Sequence, residues 1–301
     1  MSTEPKTLFP VYLLLILTVI IWGLSFVATK IALQTFAPFT LIFARFSVAA
    51  VLFFALMLRT GFPRFTLQDH LRMLVVALFE PGLYFIFETL GLQHTTAPKA
   101  SLIIATIPAV VLVFAHILLK ERITLQGILG IGASLAGIGV LVTGDNRFEW
   151  ALGGQAVGDL LVFGAVLSAS LYMIMVRGLG REYSALEITS MQTFYGAFLF
   201  LPGFLWEFNR LNGPAFNVQA LAALAYLTLF ATVAAFLCYN YALSKVPAYR
   251  AAVFINGIPV VTTLGALVFL DEKLTFVQGV GGMLVLLGVY VANRPRKRPR
   301  L

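Results

Sequence analysis

The chain has 301 residues, of which 60% are hydrophobic and 11% charged, with a mean hydropathy of +0.93; a soluble domain carries roughly 25% charged residues. A soluble core of this size cannot hide so much apolar surface, and lipid contact can. The net charge of +8 sits between apolar runs and in the tail Arg294-Pro295-Arg296-Lys297-Arg298-Pro299-Arg300 rather than on one folded face, so no nucleic-acid partner is expected.

A membrane-spanning helix needs about 20 mostly apolar residues. Ten runs qualify, at 10–32, 38–58, 71–92, 100–119, 126–143, 155–176, 185–206, 218–243, 251–270 and 275–293. The first follows a short polar N-terminus and lacks a cleavage-like end, so it reads as a retained helix. Cys238, the single cysteine, lies in the eighth run and excludes an intramolecular disulfide. The connections are short except at 60–70, 144–154 and 207–217, which leaves no room for a soluble domain.

With the N-terminus inside, fifteen lysines and arginines fall in inner segments and five in outer ones, while Arg45 lies within a helix. That asymmetry predicts cytoplasmic termini and an even number of helices in a plasma or bacterial inner membrane. A repeat is also visible. Moving along the chain by 151 residues, without gaps from Ala97, carries Ile107-Pro108 onto Ile258-Pro259, Glu121 onto Glu272, Thr124 onto Thr275, Gly130 onto Gly281 and Gly137 onto Gly288. Five helices per copy make the second copy enter from the opposite side. The expected fold is an all-α membrane protein with ten transmembrane helices as two inverted five-helix repeats. These are residues 1–144 and 155–293, joined by an outer linker at 145–154 and followed by a basic tail at 294–301.

Several segments carry a family resemblance: Trp22-Gly23-Leu24-Ser25-Phe26-Val27-Ala28-Thr29-Lys30, Arg45-Phe46, Ala97-Pro98-Lys99-Ala100-Ser101-Leu102, Ile107-Pro108 and Glu121-Arg122-Ile123-Thr124. Ile258-Pro259 and Glu272-Lys273-Leu274-Thr275 recur in the second half. In their order and spacing these resemble the EamA family of the drug/metabolite transporter superfamily, over nearly the whole chain. The resemblance implies cytoplasmic termini, a central cavity between the halves and alternating access, with no fixed substrate. In the second copy Ala169-Ser170-Leu171-Tyr172 replaces Trp22-Gly23-Leu24-Ser25, so the two cavity walls are expected to differ chemically.

Ionisable residues inside spans default to functional candidates. Glu80 lies about 14 Å along helix three, near the midplane, and Pro81-Gly82 should break the helix beside it. Glu80 is therefore the first candidate for substrate binding and Pro81 a candidate hinge. Glu88 and Arg45 enter at similar depth and are expected to meet, as a structural ion pair or a gate. Trp22, Tyr84, Tyr172, Tyr195 and Tyr226, with Ser25, Ser168, Ser170 and Thr232, are candidates for the cavity wall. Asp159 reads as an interfacial residue at the outer end of helix six, and His116 as a packing residue. Pro108 and Pro259 should bend helices four and nine as paired hinges. The glycines of helices five and ten, Gly127, Gly130, Gly132, Gly137, Gly279, Gly281, Gly282 and Gly288, read as close packing, either in an intramolecular seam or in a homodimer.

No metal-ligand spacing and no nucleotide-binding loop occurs, so no cofactor is expected. The expected activity is secondary transport, read as export, of a small-molecule substrate such as an amino acid or related compound. The alternatives are a membrane-embedded enzyme acting on lipid-linked substrates and a passive channel.

Overall fold

The computed structural model describes residues 5–61, 64–119, 125–143, 154–208, 217–246 and 248–293. Among the described residues every regular element is helical. The first half contains α1 (Pro5–Leu33), α2 (Pro38–Thr60), α3 (Leu67–Ala77), α4 (Tyr84–Leu92), α5 (Ala97–Ile104), α6 (Ile107–Leu119) and α7 (Leu125–Thr143). The second contains α8 (Gln155–Leu179), α9 (Ala185–Phe208), α10 (Val218–Tyr226), α11 (Ala235–Lys245), α12 (Ala248–Phe254), α13 (Ile258–Phe269) and α14 (Phe276–Asn293). A π-helical segment, Leu78–Leu83, joins α3 to α4, and another, Leu227–Ala234, joins α10 to α11. A 3-10 turn, Ile255–Gly257, joins α12 to α13.

Among the described residues seven helical runs are long and apolar enough to cross a membrane: Phe9–Leu33, Pro38–Thr60, Leu67–Leu92, Ala97–Leu118, Gln155–Leu179, Val218–Lys245 and Ala251–Phe269. Leu125–Val140 and Phe276–Val291 are shorter apolar helices. Helix three starts earlier than its hydropathy indicates, because Thr66 and Asp69 form a capping box ahead of Leu67. The tail at 294–301, Glu121, Thr124 and most of the 145–154 linker lie outside the described residues.

The 151-residue offset extends to helix boundaries. α3, α4, α5, α6 and α7 begin at Leu67, Tyr84, Ala97, Ile107 and Leu125; α10, α11, α12, α13 and α14 begin at Val218, Ala235, Ala248, Ile258 and Phe276. The two halves interlock rather than sit side by side. α1 packs on α10, α11 and α13, α8 packs on α4, α5 and α6, and α2 packs on α9.

Gly130 and Gly137 of α7 and Gly281 and Gly288 of α14 form an intramolecular seam. A Cβ on Gly137 would lie 2.7 Å from Val285 N and 2.8 Å from Gly281 O, and one on Gly288 would lie 2.5 Å from Ser134 N and 2.7 Å from Gly130 O. Both are backbone clashes that no rotamer relieves. In lipid, where apolar burial gives no drive, such close approach supplies the dispersion contact.

One end of the bundle is tied by charges from both halves. Lys30 donates to Glu272 Oε1 at 2.7 Å and to Thr95 O at 2.8 Å, while Glu272 Oε2 accepts the Ala97 N–H at the start of α5. Glu207 at the end of α9 accepts from Phe39 N, Thr40 N and Thr40 Oγ1, so a carboxylate caps the N-terminus of α2. Asp159 is not the interfacial residue expected: it is 2% exposed. It meets Lys99 Nζ at 2.8 Å and accepts from Thr95 Oγ1 at 2.7 Å. Burial at the α5–α8 contact explains the difference, since a charge there needs an opposite charge beside it.

Two outcomes follow from this packing. Gly137→Val or Gly288→Val should lower unfolding stability by about 1–3 kcal/mol, whereas Gly132→Ala and Gly279→Ala, whose Cβ positions meet nothing within 4 Å, should not; thermal midpoints in detergent decide. Lys99→Met alone should cost about 3–5 kcal/mol by leaving Asp159 buried beside no cation, and Lys99→Met with Asp159→Leu should recover most of it. Additive losses in that double-mutant cycle would show that the pair is not coupled.

Candidate functional site

The site begins with a backbone that cannot remain α-helical. Pro81 has no N–H to donate and its ring crowds the preceding turn. The chain answers with the π segment Leu78–Leu83, inside which Glu80 is extended at φ −142°, ψ 114°. The carbonyl of Phe79 accepts instead from Ser168 Oγ of α8 at 2.7 Å. Pro81 packs directly on α9, where a Cβ on Gly196 would stand 2.4 Å from Pro81 Cγ. The break thus turns Glu80 inward and keeps it 7% exposed.

The second π segment has no proline or glycine to announce it. Trp22 Nε1 of α1 donates to the Ala231 carbonyl at 3.1 Å inside this segment, and Tyr226 Oη at its edge donates to Ile21 O of α1 at 2.9 Å. Thr232 Oγ1, in the same segment, accepts from Arg45 Nε and donates to Leu227 O.

Beside the first of these interruptions lies a cavity that holds Trp22, Ser25, Arg45, Glu80, Tyr84 and Glu88 together. Both halves contribute, the second through Ala169, Met173, Phe236, Tyr239, Ile255 and Ile258. The cavity measures about 40 Å³, space for a few waters at ~10–15 Å³ each. Arg45 and Glu88 are each 3% exposed. They act on one another through space, and among the described residues they make no direct ion pair. The guanidinium instead lies 4.4 Å from the Phe85 ring centroid and 5.6 Å from that of Phe46, a cation–π arrangement that leaves its outer donors available. Glu88 has only a 3.4 Å contact from Thr89 Oγ1.

The other polar candidates are spent on local bonds or sit away from the cavity. Ser25 Oγ is spent on Trp22 O at 2.7 Å. Tyr172 turns away from the cavity toward Gln192 and Asn240. Tyr195 meets His70 Nδ1 at 2.7 Å, beside Arg72–Glu182 and Asp69–Tyr183, at the end of the bundle opposite Lys30. Tyr226 stands at a lateral groove between α1 and α10. Ser170 is bonded to Val166 O of its own helix.

Pro108 and Pro259 do not bend continuous helices. α5 ends at Ile104 and α6 starts at Ile107; Pro259 occupies the first turn of α13 after the 3-10 turn. A first-turn proline forfeits no helical bond, so each proline starts a half-helix after a break. Sequence reasoning missed Phe85, Phe236 and Tyr239 on the cavity wall and the cluster Gln192–Asn240. The available signals were in the repeat: Phe85 and Phe236 stand 151 residues apart, and Tyr239 and Gln192 take the places of Glu88 and Arg45.

The sequence model of the EamA-like transporter family matches residues 9–143 and again 156–294. A protein of Archaeoglobus fulgidus named "Uncharacterized transporter" is 31% identical, with 95% of this chain and 99% of that one covered. The Bacillus subtilis protein named "Uncharacterized transporter YetK" is 27% identical over 96% of this chain and 88% of its own. A "Probable terminal-alkyne amino-acid exporter" of Streptantibioticus cattleyicolor is 25% identical, covering 93% and 92%. A crystal structure 18% identical superposes with a TM-score of 0.67 over 94% of this chain and 96% of the other, which shows a shared fold. With the family pattern matched in each half and seven helices fit to cross a bilayer, this multi-pass membrane protein belongs to the EamA-like transporter family.

Proposed function

We propose that the chain is a secondary transporter of ten crossings, in two inverted five-helix halves with both termini cytoplasmic, that exports a small zwitterionic metabolite by alternating access. The observation that carries this reading is the composition of the cavity: one guanidinium, two carboxylates and an aromatic wall, shared between the halves. Arg45 suits a carboxylate, Glu80 and Glu88 suit an ammonium, and Trp22, Tyr84, Phe85, Phe236 and Tyr239 suit an apolar side chain. An amino acid or a close relative carries all three features. The name of the Streptantibioticus cattleyicolor relative agrees with that class.

Two further observations support alternating access. The cavity is too small for a metabolite as it stands, so its walls must part to admit one. The breaks that permit such movement occur in both halves, at Leu78–Leu83 and Leu227–Ala234, and again before Ile107 and Ile258. Inversion would put one set of breaks toward each membrane face. The hinges in this reading are the interrupted segments, with Pro81, Pro108 and Pro259 at or beside them.

Liposomes containing the purified chain and loaded singly with radiolabelled L-amino acids should show saturable efflux of at least one. Glu80→Gln should lower that efflux at least about tenfold, the scale of one lost hydrogen bond to an ionised group, with normal membrane expression. Parent-level flux in Glu80→Gln at every pH tested would remove Glu80 from the mechanism. Alkaline phosphatase fused at either terminus should be inactive; an active fusion at one end would overturn the ten-crossing topology.

A further inference from the structure

Two grooves open on the outside of the bundle, one between α3 and α8 and one between α1 and α10, and the repeat relates them. α3 and α10 begin at Leu67 and Val218, 151 residues apart. On that offset Gln68, Leu71, Arg72 and Val75 correspond to Gln219, Ala222, Ala223 and Tyr226, and each residue lines its own groove. The turns after α1 and α8 match at 147 residues: Thr35 N and Phe36 N donate to Ala32 O, and Glu182 N and Tyr183 N donate to Leu179 O. Met175 of the first groove therefore corresponds to Ala28 of the second. The grooves measure about 440 and 540 Å³, within the range of small-molecule sites, about 300–1,000 Å³.

The first groove has a charged mouth and an apolar floor. Its mouth is where α3 starts and α8 ends. There Arg72 Nη1 donates to Glu182 Oε2 at 3.0 Å, with the two side chains 45% and 57% exposed. That bond occupies one of five guanidinium N–H groups, and the stem of Arg72 lies on the groove wall. Leu71 and Val75, one helical turn apart and 55% and 44% exposed, line the floor with Met175 and Leu179, also one turn apart. Both helices belong to runs fit to cross a membrane, so this floor meets lipid chains. The mouth of the second groove differs. Ala223 and Thr35 stand there in the places of Arg72 and Glu182, and neither is charged.

We propose that the α3–α8 groove is a binding site for a phospholipid whose head group carries both a phosphate and a primary ammonium, as phosphatidylethanolamine does. The phosphate joins Arg72, the ammonium joins Glu182, and one acyl chain lies along Leu71, Val75 and Met175. Charge complementarity selects this lipid. A guanidinium and a carboxylate 3.0 Å apart present one charge of each sign, and the head group offers the opposite of each. Phosphatidylglycerol supplies no cation for Glu182 and sets its phosphate near that carboxylate. The cation of phosphatidylcholine has no N–H, so Glu182 accepts no hydrogen bond from it. An exposed ion pair contributes little by itself, so parting Arg72 from Glu182 to admit a head group costs little. The α1–α10 groove takes lipid chains without this selection.

Native mass spectrometry of the full chain in detergent, titrated with phosphatidylethanolamine, phosphatidylcholine and phosphatidylglycerol of identical acyl chains, reads this binding without any flux. The result is therefore independent of the transport reading. The parent should bind phosphatidylethanolamine about tenfold more tightly than either other lipid, the scale of one hydrogen bond to an ionised group. Glu182→Gln should erase the preference over phosphatidylglycerol. Arg72→Gln should weaken all three about tenfold, because all three carry the phosphate. Val75→Trp fills the groove, leaves both head contacts in place, and should also weaken all three. The three positions are exposed, so each variant should fold, and any one of them decides. Equal binding of the three lipids by the parent overturns the head-group assignment, and so does tighter binding of phosphatidylglycerol. A preference undiminished in Glu182→Gln, or an affinity undiminished in Arg72→Gln or Val75→Trp, places the lipid elsewhere and overturns the site.

Discussion

A backbone carbonyl in a hydrocarbon layer must find a donor inside the protein, because no water is there to supply one. The rest of this structure depends on that constraint. Its helices are interrupted at Leu78–Leu83, Leu227–Ala234 and Ile255–Gly257, and between Ile104 and Ile107. Side chains from other helices take up bonds so released: Ser168 reaches Phe79 O and Trp22 reaches Ala231 O. In both cases the rescuer comes from the opposite half of the chain. Each half can be broken only because the other half covers the break.

That exchange also explains where the cavity is. A π segment widens the helix locally and pushes a side chain or a carbonyl toward the partner helices. The first segment puts Glu80 on the cavity wall, and the second holds the wall residues Trp22 and Arg45 by hydrogen bonds at Ala231 O and Thr232 Oγ1. Charges at this depth are tolerable because opposite signs share one cavity and because Arg45 is held by Thr232 and the Phe85 ring. Beyond the cavity, one end is closed by ion pairs, Lys30–Glu272 and Lys99–Asp159, whose members come from different halves. The other end is closed by exposed or half-buried contacts, Arg72–Glu182 and His70–Tyr195. Exposed pairs of that kind are weak, while a buried pair resists removal of either member. The two closures are therefore unequal in strength.

The repeat accounts for shape and leaves chemistry free to differ. α7 and α14 use equivalent glycines, Gly137 and Gly288, against equivalent backbone, Gly281 and Gly130. A steric requirement of this sort must be met in both copies. The polar positions have no such obligation. Arg45 faces a site with two carboxylates, while Gln192 at the matching position faces Tyr172 and Asn240. One scaffold thus presents a charged wall and an uncharged one.

Hydropathy, the 151-residue offset and the family motifs determined the helical class, the two related halves, the family and the helix break at Glu80 with Pro81, because these depend on local apolar runs and on local proline chemistry. The same text misjudged Asp159, which looks interfacial by its place near a helix end and is buried by the neighbouring α5. It could not say which glycines of the stripes pack within the chain, and only the pairing of α7 with α14 placed Gly130, Gly137, Gly281 and Gly288 in a seam. It could not foresee the π segment at Leu227–Ala234, since no residue there obliges a break and the bonds that sustain it come from Trp22 and Arg45, about two hundred residues away in sequence. Nor could it separate Tyr172 from Tyr84: both lie inside spans, and which way a tyrosine turns is decided by the helix packed against it. Local pattern determined what each segment is, and long-range packing decided which side chains meet, because a buried polar group takes its partner from whatever the fold brings within reach.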